Sequence, residues 1–393
     1  MAERRSGRML DTELIAELDG LAALAPAWDA LAVADALPQM APAWVLAWWR
    51  QVAPEGAQPR AVAVRDGARL VGLAPFYVVP GGGGRVDYRL PGIEIAARLA
   101  PLAVPGREWE VAAAIGGALA HAAPRPDALL FEGIAVDGQW QSALRDRWPG
   151  ALRPPLWRTH VDGSPFVSLR EGSFEAWMAA RSSNFRQQMR RMRRRFEQGG
   201  GTSRVATLAT LADDAAVFVR LHASRWDGRG HSNLVDLGER FAAMIADAGE
   251  RLLDEQRLTL RLLELDGEPI CAQLFVAAGG TELFVNGGWD ERHAALKPSL
   301  LCLLDAVQDA FARGRRRLDL GVGEQPYKLR FADGDAPLEW AVLLAPGPRL
   351  PLSAARSSRA LVRSRARAAA LRGLPQERVA QLRGLQRRLR GAS

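Results

Sequence analysis

The spacing of apolar residues changes several times along the chain, and each change predicts an element. Residues 12–53 show helix-spaced apolar positions interrupted by Pro26, Pro38 and Pro42, with Trp28, Trp44, Trp48 and Trp49 supplying large apolar surface. From Arg60 to Arg65 and from Leu70 to Val79 the pattern becomes that of strands, and Asp66-Gly67 between them is a strong hairpin-turn signal. Gly81–Gly84 predicts a flexible loop, Glu108–Ala122 a helix and Ala128–Glu132 a short buried strand. This alternation of helix and strand puts the first half in the mixed α/β class. Prolines and polar residues collect between Trp148 and Pro165, where a domain boundary is expected.

The second half repeats the alternation. Phe174–Gln198 predicts one long helix, and Leu211–Trp226 and Leu237–Asp254 predict two more. An antiparallel meander follows over Leu258–Leu265, Glu268–Ala277 and Glu282–Asn286, its first turn again Asp-Gly, at Asp266-Gly267. Pro298 opens a helix that runs through the apolar stretch Leu300–Phe311, Arg317–Leu320 is a strand, and Ala341–Ala345 suits one more. The expected division is 1–155, 156–346 and a tail over 347–393.

Charge alters this picture only at the end of the chain. The net charge is +8, yet residues 349–393 hold 12 arginines against the single acid Glu377, so the first 348 residues carry −3. The basic character belongs to a tail that suits solvation or peripheral contact with an anionic membrane surface, and nucleic acid is not an expected partner of the body. Cys271 and Cys302 lie in apolar runs without a CxxC partner, and the five histidines have no metal-ligand spacing, so neither a disulfide framework nor a metal is expected. The basic start lacks an apolar signal core and no run approaches the ~20 apolar residues of a membrane span, so a cytoplasmic, at most membrane-peripheral, protein is expected.

Of 52 basic residues only Lys297 and Lys328 are lysines. A compact, rotatable ammonium differs in kind from a guanidinium fork, so a lysine surviving in an arginine-rich chain draws attention to its setting. Lys328 follows Tyr327, the last of three tyrosines, in a segment that begins Asp319-Leu320-Gly321-Val322-Gly323-Glu324. Glycines after a strand let backbone approach a ligand, and a phenol beside an ammonium suits charge stabilisation or proton transfer. A plain turn with a surface lysine remains open at this point. Lys297-Pro298-Ser299 stands at a helix start, which offers backbone N–H groups to a pyrophosphate or is an ordinary helix beginning. In the arginine-dense stretch from Arg181, the residues Phe185, Met189, Met192 and Phe196 form one apolar stripe, leaving the arginines to bind an anionic acceptor, to touch RNA or to be solvated.

Three segments together resemble the CelD/BcsL-like acetyltransferases of the GNAT superfamily: the Arg-rich helix with Ser183-Asn184-Phe185-Arg186, the run from Trp289-Asp290-Glu291 to Pro298-Ser299-Leu300-Leu301, and Asp319-Leu320-Gly321 to Pro326-Tyr327-Lys328-Leu329-Arg330-Phe331. Trp44–Trp49 and Leu70–Phe76 look like the first half of that family, so the likeness covers about residues 12–345. The resemblance implies two tandem GNAT-like α/β units with mixed, mainly antiparallel sheets flanked by helices, as in Fem-type aminoacyltransferases. It implies acetyl-CoA or another acyl-CoA as donor, bound by Gln273, Leu274 and Phe275 of a central strand and by Lys297, Pro298, Ser299 and Leu300. The implied acceptor is a sugar hydroxyl or amine of exopolysaccharide, cellulose or cell-envelope biosynthesis. On this reading Lys328 stabilises negative charge, Tyr327 protonates the departing thiolate, and Asp319 or Glu324 is the general base. Arg181, Asn184, Arg186, Trp226, Asn286 and Trp289 would line the acceptor side. The chain departs from the superfamily in having Pro298-Ser299 for Pro-Gly and no glycine-rich pyrophosphate loop there, which favours the alternative of aminoacyl-tRNA as donor. A non-catalytic scaffold of an envelope polysaccharide assembly is the third reading.

Overall fold

The computed structural model describes residues 10–79, 84–170, 172–226 and 232–359. The glycine loop expected at 81–84 lies almost wholly outside these residues, as does most of the basic tail. Three sheets organise the described chain. A four-stranded sheet holds Asp11–Ile15, Ala61–Asp66, Arg69–Ala74 and Leu102–Ala103 in that order, and its hairpin turns at Asp66-Gly67, with Gly67 at φ +61°. Here the hairpin expectation meets the structure, whereas Asp11–Ile15 is a strand and not the beginning of a helix, because it pairs residue by residue with Ala61–Arg65.

The seven-stranded sheet carries the second half of the chain. Its order is Gly201–Val205, Leu258–Leu265, Glu268–Ala278, Thr281–Trp289, Arg317–Asp319, Pro165–Ser168 and Gly334–Asp335. The first four strands are the predicted meander with one strand added, all antiparallel; Thr281–Trp289 and Arg317–Asp319 are parallel, joined by the helix Pro298–Ala312. That helix packs its apolar stripe (Leu301, Leu304 and others) on one face of the sheet beside Phe185, Met189, Met192 and Phe196. The helices Leu211–Trp226 and Glu239–Leu252 cover the opposite face.

The long helix expected over 174–198 is two helices, Phe174–Ala180 and Ser183–Gln198. Ser182 breaks the run: its backbone is extended (ψ 149°) and its hydroxyl accepts from the Phe185 N–H at 3.2 Å, an N-cap that satisfies one of the free amides of the second helix. Arg186 closes the gap by donating to the carbonyls of Ala179 (2.7 Å) and Arg181 (2.6 Å).

Strand pairing also crosses the boundary expected at residue 155. The six-stranded sheet runs Gln58–Pro59, Tyr77–Val78, Asp87–Arg89, Ala128–Ala135, Leu338–Leu344, Leu156–Asp162, so two strands from beyond the boundary complete the sheet of the first half. Leu338–Leu344 inserts between Ala128–Ala135 and Leu156–Asp162, antiparallel to both. The chain thus returns to its first unit at its end, and the two units are tied covalently at two places. Apolar packing reinforces the tie: Trp44, Trp48 and Ile95 of the first unit share one buried cluster with Phe218, Phe241 and Met244 of the second. Around the rim Arg240 donates to the carbonyls of Gln51 and Val52, and Arg50 pairs with Asp247.

Candidate active site

The parallel strands Thr281–Trp289 and Arg317–Asp319 stay together for only three residue pairs, ending at Leu283 opposite Asp319. At the next residue the register against Glu268–Ala278 slips: Phe275 faces Phe284 and Leu274 faces Asn286, leaving Val285 as the extra residue of a bulge. A bulge bends and twists its strand, here away from its parallel neighbour. On the other side the chain turns off at Gly321, with φ +73°, where a Cβ would stand 3.2 Å from the Phe284 carbonyl oxygen. Only glycine accepts both that backbone and that approach. The strands therefore fork.

A cavity of about 590 Å³ fills the fork. Leu283–Asn286 form one wall and Asp319–Val322 the other, with Tyr327 and Lys328 beside the latter; Ile93, Ile95–Arg98 and Trp340 of the first unit's elements close it. Arg225 and Trp226 enter from the end of the helix Leu211–Trp226, which can come this close because Gly288 has no side chain: a Cβ there would lie 2.3 Å from the His222 nitrogen. Arg225 lies over the Trp289 ring at 4.0 Å, a cation–π contact that fixes its guanidinium at the cavity wall. His222 bonds to the Gly287 carbonyl at 3.1 Å and Ser232 at 2.7 Å, and burial pushes its imidazole below the usual range.

Lys328 sits in the short helix Pro326–Phe331 and is only 5% exposed. Its Nζ donates to the carbonyls of Val322 at 2.8 Å and Gly321 at 3.2 Å, pinning the glycine turn. Burial brings its pKa down to about 8; Asp319 opposes this fall and Arg225 adds to it. Tyr327 shifts the other way, to about 12, because burial disfavours the phenolate. Asp319 is fully buried and surrounded by donors: Ser164 Oγ at 3.1 Å, Gly321 N–H at 2.9 Å, Arg317 Nη2 at 2.8 Å, and Arg98 in an ion pair at 2.9 Å. A carboxylate offers about four lone-pair sites; three take hydrogen bonds here, and Arg98 adds its charge without one. These contacts tie Asp319 to the glycine turn. Glu324, the other base candidate, is exposed and lies against Gly163, away from the cavity walls.

The remaining sequence-expected residues separate clearly. Trp226 and Asn286 line the cavity with Tyr327, Lys328 and Asp319. Trp289 supports Arg225. Arg181 pairs with Asp333 and stacks on Trp177 at 4.4 Å, Arg186 caps the preceding helix, and Asn184 is exposed on its own helix; none of these borders the cavity. Leu274 and Phe275 are core side chains of the meander. Gln273 donates to the Ser299 carbonyl (2.9 Å) and hydroxyl (3.1 Å), tying the strand to the helix start. Lys297 is exposed in a left-handed conformation before Pro298, and Leu300 follows within the first turn. Residues 297–300 do not border the cavity.

Arg98 and Arg225 are functional candidates that the sequence reading missed. Arginine is too common in this chain for one to stand out, and the positive φ of Arg98 (+74°) leaves no trace in composition. Arg225 had a usable signal in being adjacent to Trp226 at a helix end.

The forked parallel pair inside an antiparallel meander, backed by helices on both faces, is the α/β framework of the site. Residues 183–329 match the family model described as "Acetyltransferase (GNAT) domain". Among solved structures the chain is similar to "Crystal structure of FemX", with a TM-score of 0.58 at 10% identity over 84% of this chain and 96% of that one. It is also similar to a conserved protein of unknown function from Bacteroides thetaiotaomicron VPI-5482, with a TM-score of 0.53 at 12% identity over 86% and 100% of the two chains. At such identities these likenesses show the fold alone, a mixed α/β chain whose second half carries the match to the GNAT domain. No curated protein matches the chain significantly. No helix of the described residues is long and apolar enough to cross a membrane.

Proposed function

We propose that the protein transfers an acyl group from a thioester donor, acyl-CoA and most simply acetyl-CoA, to an amine or hydroxyl acceptor within the fork. The observation that carries this reading is the cavity between the diverging strands, with a buried, pKa-lowered lysine in its wall. The acceptor attacks the thioester carbonyl directly: the new acyl–N or acyl–O bond forms, the acyl–S bond breaks, and the acceptor's proton must be taken up. With Asp319 already engaged on both oxygens and Glu324 remote, Lys328 takes that proton. As a neutral amine it keeps its two N–H bonds on the Gly321 and Val322 carbonyls and has its lone pair free. A base near pKa 8 is well matched to neutral or mildly alkaline conditions. This replaces the charge-stabilising role first expected of it. Tyr327 remains a phenol up to about pH 12, so it gives the departing sulfur a hydrogen bond and keeps its proton. Arg225 supplies positive charge beside both groups, suited to the developing oxyanion. The acceptor class suggested by the family resemblance is a sugar of exopolysaccharide or envelope biosynthesis.

A second reading takes aminoacyl-tRNA as donor, and one observation favours it: the Ser299 carbonyl and hydroxyl are already engaged by Gln273 at the helix start where a CoA pyrophosphate would sit. Calorimetric titration with acetyl-CoA, and separately with aminoacyl-tRNA, decides between the donors. Saturable binding of acetyl-CoA, with thiol release stimulated by glucosamine, is the expected result. Binding of aminoacyl-tRNA and none of acetyl-CoA would overturn the choice of donor.

A further inference from the structure

A second cavity, of about 350 Å³, lies on the other side of the Arg98–Asp319–Arg317 cluster. The two cavities meet at Arg98, which lines both. The second is walled by Asp35, Glu108, Asp137 and Trp140 of the first unit and by Thr281 and Arg317 of the second. Thr281 and Arg317 are the first pair of the parallel strands whose far end forks. The cavity therefore sits at the root of the fork.

Its charged groups are Arg98 and Arg317, with Asp137 close enough to Arg317 to act on its charge, and the carboxyls of Asp35 and Glu108. Arg98 spends Nη2 on the Ala336 carbonyl (2.9 Å) and faces Asp319 with Nε, and Arg317 spends Nη2 on Asp319; the Nη1 group of each has no partner among the described residues. Asp35 and Glu108 lie close enough to repel, and neither has a basic partner among the described residues: Asp35 accepts only the Ala103 N–H (3.0 Å) and Glu108 the Gly106 N–H (3.1 Å). Burial together with that repulsion raises Asp35 to about 6. Ile134, Leu37 and Leu99 supply apolar wall. Two half-buried carboxyls without a basic partner, in one cavity with two guanidinium groups whose Nη1 atoms make no hydrogen bond among the described residues, are complementary to one molecule that carries both charges; Arg317 is held in place by lying over Phe166 at 4.0 Å.

We propose that this cavity is a binding site for a small zwitterion of amino-acid size, its carboxylate on Arg98 and Arg317 and its ammonium on Asp35 and Glu108. A carboxylate arriving there competes with Asp319 for the same two guanidinium groups. Asp319, less neutralised, then favours the charged form of Lys328, so occupancy of the second cavity raises the pKa of the lysine in the first. The site is thus coupled to transfer without touching the reacting atoms. The binding part of the inference stands without the acyltransferase reading, and its test uses neither donor nor acceptor.

The test is a calorimetric series on the full chain with glycine, β-alanine, γ-aminobutyrate and 5-aminovalerate, and with butyrate and butylamine as singly charged controls. One member of the zwitterion series should bind at least about tenfold more tightly than either control, its length measuring the gap between the charged groups. Glu108→Gln, on the rim and outside the fork, should remove that preference while the protein stays folded by circular dichroism. Absence of saturable binding across the series, equal binding of butyrate or butylamine, or an unchanged preference in Glu108→Gln each overturns the proposal.

Discussion

The chain's two lysines occupy opposite environments. Lys297 stands exposed at a helix start, its backbone left-handed (φ +51°). Lys328 is buried under the glycine turn, holds two carbonyls and titrates near 8. Rarity in the sequence marks both equally, so rarity alone does not identify a reacting group. Burial and committed partners separate them: desolvation is what lowers the pKa of an ammonium toward neutrality.

The largest expected effect comes from removing the buried lysine. Lys328→Met keeps much of the side-chain volume and deletes the amine, and Lys328→Arg keeps a charge that cannot be lost in the working range. Both should lower kcat by about 10²-fold or more, the typical loss when a positioned proton acceptor is removed. Far-ultraviolet circular dichroism and a cooperative melt check that the fold survives. Wild-type turnover in a folded Lys328→Arg protein would reduce Lys328 to a strut for the turn and leave the two lysines alike.

A smaller but more specific effect is the pH dependence. If the neutral amine is the base, kcat/KM rises about tenfold per unit of pH up to about 8 and then levels off, in a profile that Lys328→Met lacks. Stability gives an independent reading. The folded lysine has its pKa at about 8 against the ordinary 10.5, so the fold binds fewer protons than the unfolded chain between these values. Wild-type stability should therefore gain relative to Lys328→Met as pH climbs from about 8 to 10.5, and the cost of the buried ammonium is fully present below 8. A denaturation series showing a constant difference over that range would place the amine in water, contrary to its burial.

How much of this was legible in the sequence follows the range of each interaction. The meander was read nearly to the residue because alternation and Asp266-Gly267 are local signals. The helix at Pro298 and the apolar stripe of the arginine helix were read for the same reason. Leu338–Leu344 was expected to add one more strand, but its insertion between Ala128–Ala135 and Leu156–Asp162 depends on partners about two hundred residues away, and no local pattern encodes them. The site divides likewise. Tyr327, Lys328 and Asp319 come together because they are near in sequence around one turn. Arg98 reaches Asp319 from the other unit, and the crowding of Asp319 by three hydrogen bonds and that ion pair is a property of the folded neighbourhood that no local pattern encodes.

The smallest effect expected is at the other lysine, and it is the sharpest test of the contrast. Lys297→Gly removes the charge while suiting the left-handed backbone. Relief of about 1–2 kcal/mol of backbone strain is offset by about 0.5–1 kcal/mol of added chain entropy, so stability should move by no more than about 1 kcal/mol. An exposed charge at a helix start contributes at most about 1 kcal/mol to holding a diphosphate, so KM for acetyl-CoA should rise by about fivefold or less with kcat unchanged. This outcome assigns Lys297 to donor affinity and Lys328 to chemistry. A fall in kcat in Lys297→Gly would mean that the helix start governs the geometry of the fork, through the Gln273–Ser299 tie that joins them, and the separation between the two lysines would fail.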